Sequence, residues 1–213
     1  MVPKTSKTSK TSKTSKGEAT RDSIVRMAFA QAMEVGLEGV SLGVLATSLG
    51  MSKSGLFAHF RSKEGLQLAV LEEAIERFAE QVIAPALAKP RGEPRVYALF
   101  IGKLDWIKTN GAGEGCFFTA LTQEYDDRPG PVRDHLVRSQ LEWRATLTRA
   151  IQLAIRERHF DTELDAEQLT FELVGIDAAF HQTYKLLGDA KARDRAVAAY
   201  ARLIDSVKNR KRR

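Results

Sequence analysis

Between Ser41 and Lys63 the chain carries Lys53, Arg61 and Lys63 and no aspartate or glutamate, while Glu34, Glu38 and Glu64 stand just outside. An acid-free window is what an approach to phosphate requires, because a carboxylate facing the nucleic-acid backbone repels it. Ser52, Lys53, Ser54 and Gly55 fall on the first turn of a predicted helix, whose free N–H groups and positive dipole end also favour an anion. Short hydroxyls and a glycine let backbone and base edge come close. Lys53 can reach a guanine edge or a phosphate and Ser54 can pair with several bases, so the base sequence is not decodable from these residues.

The elements that must hold these side chains follow from the apolar spacing. After Thr20, the residues Ile24, Ala28, Phe29, Ala32 and Val35 recur at helical intervals until Gly36 supplies a stop. Ser41 is a cap for a second helix carrying Leu42, Leu45, Ala46 and Leu49, which Gly50 ends. Ser52 caps a third, running to about His59, with Leu56 and Phe60 turned inward. Two short helices joined through Gly50-Met51 make a helix-turn-helix, in which the second helix lies in the major groove while the first crosses the backbone.

Ser62 caps a fourth helix, which keeps Leu66, Val70, Ile75, Phe78 and Val82 on one face to about Ile83, where Pro85 and Pro90 predict a break. Further helices are predicted at about 93–109, 115–125, 131–159, 165–187 and 191–208. Glycines 111, 113 and 115, the segment Arg128-Pro129-Gly130-Pro131, and Gly188 punctuate them. No segment alternates with period two, so the fold class is all-α.

Hydrophobic residues make up 43% of the 213-residue chain and charged residues 28%, the balance of a globular protein with a real core. No window holds the roughly 18 uninterrupted apolar residues of a membrane span, and no hydrophobic stretch follows the amino-terminal lysines as in a secretory signal. A cytoplasmic location is expected. The net charge of +6 belongs to the tails: residues 1–17 hold five lysines and no acid, Lys208 to Arg213 hold five basic residues, and the resulting +10 leaves −4 for the body. The sequence pI of about 9.5 therefore says little about a folded surface. Residues 1–17, dominated by a tandem Thr-Ser-Lys repeat, read as a disordered basic arm, either a solubilising leader or a contact to phosphate or minor groove.

The stretch Gly50-Met51-Ser52-Lys53-Ser54-Gly55-Leu56-Phe57-Ala58-His59-Phe60-Arg61-Ser62-Lys63-Glu64 resembles the signature of the TetR family of bacterial repressors, a helix-turn-helix ending in an aromatic, any residue, His-Phe and then Ser-Lys-Glu. The match runs from about Thr20 to Phe78. It implies a DNA-binding domain over residues 18–78, a ligand-binding and dimerisation domain over 79–208, and a basic tail at 209–213. It also implies backbone contacts from Ser41, His59 and Lys63, with Ser52, Lys53, Ser54, Gly55 and Phe57 entering the groove. Phe57 departs from the pattern, since the family usually has tyrosine there and its phenolic hydroxyl would bond a phosphate. Each residue also has a plainer reading: helix capping for the serines, packing for His59 and Phe57, and a solvated first-turn lysine for Lys63.

From about Arg95 to Tyr184 the helices carry many aromatics. In TetR-like regulators this half encloses a small-molecule cavity, and such cavities are lined by aromatics with a few polar groups. The candidate lining is Trp106, Phe117, Phe118, Trp143, Phe180 and Tyr184, with Gln123, Asp177 and His181 as polar members. The segments Gly115-Cys116-Phe117-Phe118 and Glu124 to Arg133 look like the C-terminal domain of one broad regulator subgroup that is not tied to a single ligand. Stripes formed by Leu169, Leu173, Ile176 and Phe180, and by Ala196, Tyr200, Leu203 and Val207, are core or dimer seam. A two-fold homodimer would match a palindromic operator on double-stranded DNA.

The expected function is a DNA-binding transcriptional regulator, a repressor released when a small apolar or aromatic effector displaces the fourth helix and spreads the recognition helices. The rival is an effector-independent architectural DNA-binding protein attached by its basic tails. An enzyme is not expected: Gly111, Gly113 and Gly115 lack a phosphate-loop spacing, and Gly-x-Ser-x-Gly and His-Glu-x-x-His motifs are missing. The lone Cys116 reads as a buried structural residue, and histidines 59, 135, 159 and 181 are too scattered for a metal site. No cofactor is called for.

Overall fold

The computed structural model describes residues 16–109 and 116–208, and every named element within them is helical. The Thr-Ser-Lys repeat short of Lys16, the glycines at 111, 113 and 115, and the tail 209–213 lie outside the described residues.

Helix α1 (Lys16–Val35) buries Ile24, Val25, Ala28, Phe29 and Ala32 and ends where Gly36 adopts φ +79°. Helix α2 (Leu42–Ser48) starts from Ser41, whose hydroxyl accepts from the Val44 amide, and stops at Gly50 with φ +62°. Helix α3 (Lys53–Phe60) starts from Ser52 and turns back through Arg61 in the left-handed conformation. Leu45 and Ala46 of α2 and Leu56 and Phe60 of α3 are buried, which fixes the angle between the two short helices. Helix α4 (Lys63–Phe78), capped by Ser62, packs on α1 and buries Leu66, Ala69, Val70, Leu71, Ala74 and Phe78.

The sequence predicts a break at Pro85, and the structure differs. The chain runs on through a π-turn (Ala79–Ile83) into a short helix α5 (Ala84–Leu87) with Pro85 in its first turn. Pro85 follows directly on the π-turn, where the Ala84 amide reaches back to the Ala79 carbonyl, and the changed register accommodates a residue that has no N–H. A π-turn inserts one extra residue without ending the helix.

Helices α6 (Glu93–Thr109), α7 (Phe117–Tyr125), α8 (Pro131–Arg156), α9 (Ala166–His181, continued as a π-turn Gln182–Leu186) and α10 (Ala192–Val207) complete the chain. Helix α8 ends three residues before the predicted 159, because Arg158 takes φ +59° and sends the His159 amide back to the Ala154 carbonyl. Helix α6 packs on α8 and α9, α9 on α8 and α10, and α4 reaches α8. Leu169, Leu173, Phe180, Ala196 and Tyr200 are buried inside one chain. These members of the two stripes are core, while Ile176, Leu203 and Val207 are partly buried against it.

Candidate DNA-reading helix and effector cavity

On α3 the Ser52 hydroxyl accepts from the Gly55 amide at 3.0 Å and lies 3.1 Å from the Ser54 hydroxyl. Ser52, Lys53, Ser54 and Phe57 are exposed, whereas Leu56 and Phe60 anchor the opposite face. One helix face is thus offered to a partner and the other is fixed by packing. A Cβ built on Gly43 would lie 3.2 Å from Lys53 Cε, so the Lys53 stem rests against the first turn of α2. His59 is half-buried with its ring 6.3 Å from that of Phe60, and Arg21 stacks over Phe60 at 5.3 Å. Lys63, by contrast, points at the loop between α1 and α2, where its ammonium pairs with the Glu38 carboxylate at 3.2 Å and donates to the Glu38 carbonyl.

That loop is held by two helices, α4 and α7. Gln67 of α4 donates to Glu38 Oε1 at 2.9 Å, and the Tyr125 hydroxyl of α7 donates to the same oxygen at 2.9 Å. Glu124 of α7 accepts the amides of Leu37 at 2.9 Å and Glu38 at 2.6 Å. Burial alone would push the Glu38 carboxyl up, but the hydrogen bonds donated by Gln67, Tyr125 and Lys63 outweigh it and hold the group below its ordinary value. Burial, reinforced by the hydrogen bond to Glu38, pushes the Tyr125 hydroxyl up.

Above this latch lies a cavity of about 160 Å³ between α4, its π-turn, α6, α7 and α8. Ile75, Phe78, Ile83, Phe118 and Trp143 are its apolar wall, and Lys103, Ser139, Gln140, Glu142 and Thr146 its polar members. The Phe78 ring meets the edges of Trp106, Phe118 and Trp143 at 5.3, 5.6 and 5.1 Å.

The residues expected to line a pocket divide accordingly. Phe118 and Trp143 line the cavity, and Trp106 stands behind them with a buried indole N–H that has no partner among the described residues. Phe117 turns the other way and packs on Phe29 of α1 at 5.2 Å. Gln123 is on the exposed face of α7. Phe180 and Tyr184 stack on each other at 5.5 Å, and Phe180 borders a separate shallow groove between α9 and α10. Asp177 is buried, and burial pushes its carboxyl up to about 7 against the pull of Lys103. The His181 ring is half-buried and lowered by that burial and by the charges of Lys103 and Lys185.

Lys103 is not among the residues expected from the sequence. A signal for it exists there, since Leu99, Phe100, Lys103, Leu104 and Ile107 form one helical stripe in which the lysine is the only charged member. Ile75 and Phe78, expected on the apolar face of the fourth helix, are core and cavity wall together.

A two-helix DNA-reading unit below a helical bundle with an internal cavity defines a one-component regulator architecture. Residues 24–70 match the family described as bacterial regulatory proteins, tetR family, and residues 92–200 match the tetracyclin repressor-like C-terminal domain. The chain belongs to the TetR family of transcriptional regulators. Similar solved structures include a TetR-family regulator from Cytophaga hutchinsonii (18% identity, TM-score 0.79), covering 92% of this chain and 98% of that one. A TetR regulator from Chloroflexus aurantiacus J-10-FL shares 25% identity over 89% of this chain and 94% of its own, with TM-score 0.79. AibR, solved with isovaleryl coenzyme A and operator DNA, shares 19% identity over 86% of this chain and 97% of its own, with TM-score 0.70. No curated protein sequence matches the chain.

Proposed function

We propose that the protein is a homodimeric repressor that binds a palindromic operator through α3 and is released from it by a small-molecule effector. The observation that carries this reading is the double duty of α4. At its start Lys63 and Gln67 grip Glu38 in the loop leading into the helix-turn-helix. At its end Ile75 and Phe78 form the wall of the cavity. A ligand that repositions Phe78 therefore acts on the same rigid helix that sets the angle of α2 and α3. Only a ligand with different affinity for the two arrangements can shift them, and a wall residue that must move to admit it supplies that difference.

Ser52, Lys53, Ser54, Gly55 and Phe57 are the groove-facing residues in this reading, and Ser41 and His59 flank them at the backbone. Lys63 keeps a role in the latch whether or not it also reaches a phosphate. The outward faces of α9 and α10 suit the seam between subunits: Phe171, Gly175 and Ala178 of α9 and Ala198 and Ala201 of α10 are exposed, small or apolar. Small residues let helices approach closely, and a two-fold seam would set the spacing of the two α3 helices to one turn of DNA.

Footprinting of the purified protein on the DNA upstream of its own coding sequence tests the reading. A discrete protected palindrome supports it, and diffuse, strongly salt-dependent coating would instead indicate an architectural protein.

A further inference from the structure

Lys103 sits on α6 with only 7% of its surface exposed. Its ammonium is caged by rings, 4.9 Å from the Phe78 centroid, 5.6 Å from Phe118 and 6.0 Å from Trp143, and donates to Cys116 Sγ at 3.4 Å. No carboxylate among the described residues forms an ion pair with it. A buried cation without an anion in contact is costly, and aromatic faces offset only part of the lost hydration. The apolar wall of the cavity beside it is formed by Ile75, Phe78, Ile83, Phe118 and Trp143.

Resting on the effector-release reading, we propose that the effector is a small monocarboxylic acid whose carboxylate seats on Lys103 and whose apolar body fills the space between Phe78, Phe118 and Trp143. Size supports a compact ligand, since the cavity holds about 160 Å³ and roughly 150 Å³ of apolar space accommodates one benzene ring. Gln140 on α8 offers amide N–H groups along the wall for the second carboxylate oxygen, whereas the Ser139 and Thr146 hydroxyls already donate to the Leu136 and Glu142 carbonyls. The one acid on the lining, Glu142, is solvent-exposed and so stands at the mouth. Asp177, on the α9 side of Lys103, feels its charge without forming an ion pair with it. Phe78 is at once a wall of the cavity and a member of the cage, so an anion seated on Lys103 lies against the end of α4.

The test uses the full chain with benzoate and phenylacetate as probes and their neutral amides, benzamide and phenylacetamide, as isosteres. Binding is read by calorimetry and by the fluorescence of Trp143 and Trp106. At least one carboxylate should bind about ten- to one-hundred-fold more tightly than its amide, the worth of a charge-assisted hydrogen bond. Lys103→Met should erase that preference while Lys103→Arg keeps most of it. Equal binding of acid and amide, or no carboxylate binding at millimolar concentration, overturns the proposal; the acid–amide comparison needs no variant and so does not depend on the folding of Lys103→Met. Operator release is measured separately on the same samples. Release by a neutral compound would overturn the carboxylate assignment and leave the effector-release reading standing, whereas a carboxylate bound at Lys103 without any release would do the reverse.

Discussion

The Tyr125 hydroxyl donates to the Glu38 carboxylate at 2.9 Å, joining two residues 87 positions apart in the chain. Tyr125 ends the helix that begins with Phe117 and the cavity residue Phe118, and Glu38 lies in the loop that enters the helix-turn-helix. The neighbouring Glu124 carboxylate caps the Leu37 and Glu38 amides, and a Cβ built on Gly36 would lie 3.2 Å from one of its oxygens. The two halves of the molecule are therefore tied at two places, through α4 and through the end of α7.

Breaking the second tie should weaken the communication between the halves more than either half alone. Tyr125→Phe removes one donor from a partly buried carboxylate and is expected to cost about 1 to 2 kcal/mol in urea unfolding. The same variant should bind operator and ligand separately with near-normal affinity while the factor by which one weakens the other falls. A Tyr125→Phe, Glu38→Gln double-mutant cycle on stability checks that the two side chains act as a pair.

Lys53 and Ser54 are exposed on the face of α3 opposite its buried anchors. Lys53→Ala is expected to cost about 1 to 3 kcal/mol of operator binding if the lysine reads a base, and to lower the salt slope by about 1 if it contacts a phosphate. Ser54→Ala combined with it should abolish a discrete footprint. An intact footprint in the double variant would move the reading surface elsewhere.

Phe57 is 41% exposed, which is unusual for a phenylalanine that packing alone would explain. Phe57→Tyr restores the hydroxyl that the family pattern has at this place. Operator affinity should rise by about 0.5 to 1.5 kcal/mol, or about two- to ten-fold, with little change in stability, as measured by fluorescence anisotropy on labelled operator.

Asp177 supplies a pH dependence. Burial raises its carboxyl to about 7 from an ordinary 3.8, so the folded state holds the proton more tightly than the unfolded chain does. The stability this proton confers is complete below the unfolded value, declines as pH rises between the two, and is lost above about 7. At about 1.4 kcal/mol per pH unit, the span amounts to a few kcal/mol. Asp177→Asn carries no such charge to bury, so relative to the parent it should gain stability steadily from pH 4 to pH 7 and hold the gain at pH 8. Parallel urea titrations across that range check this, and a difference independent of pH would contradict it.

The helix-turn-helix is legible from local rules alone. Ser41, Ser52 and Ser62 cap their helices, and Gly36 and Gly50 take positive φ where the apolar pattern demands a stop. Each depends on residues within four positions of one another. The continuation past Pro85 is not legible in the same way, because a π-turn has no apolar period of its own and proline reads as a breaker. The latch is hidden for a different reason: Glu38 meets Tyr125 only through tertiary packing, and an isolated glutamate in a loop carries no mark of its partner. Lys103 is the intermediate case, since its place on an apolar stripe is visible while the aromatic cage around it depends on α4, α7 and α8 coming together.

In the proposed function a ligand in the cavity and DNA on α3 oppose each other, and reciprocity makes that opposition measurable from both sides. Operator affinity is titrated with and without a compound shown to bind the cavity, and the compound's affinity with and without operator. Both affinities are expected to fall by the same factor, about 5- to 150-fold for couplings of ordinary size. Operator affinity unchanged by every compound that occupies the cavity would contradict it.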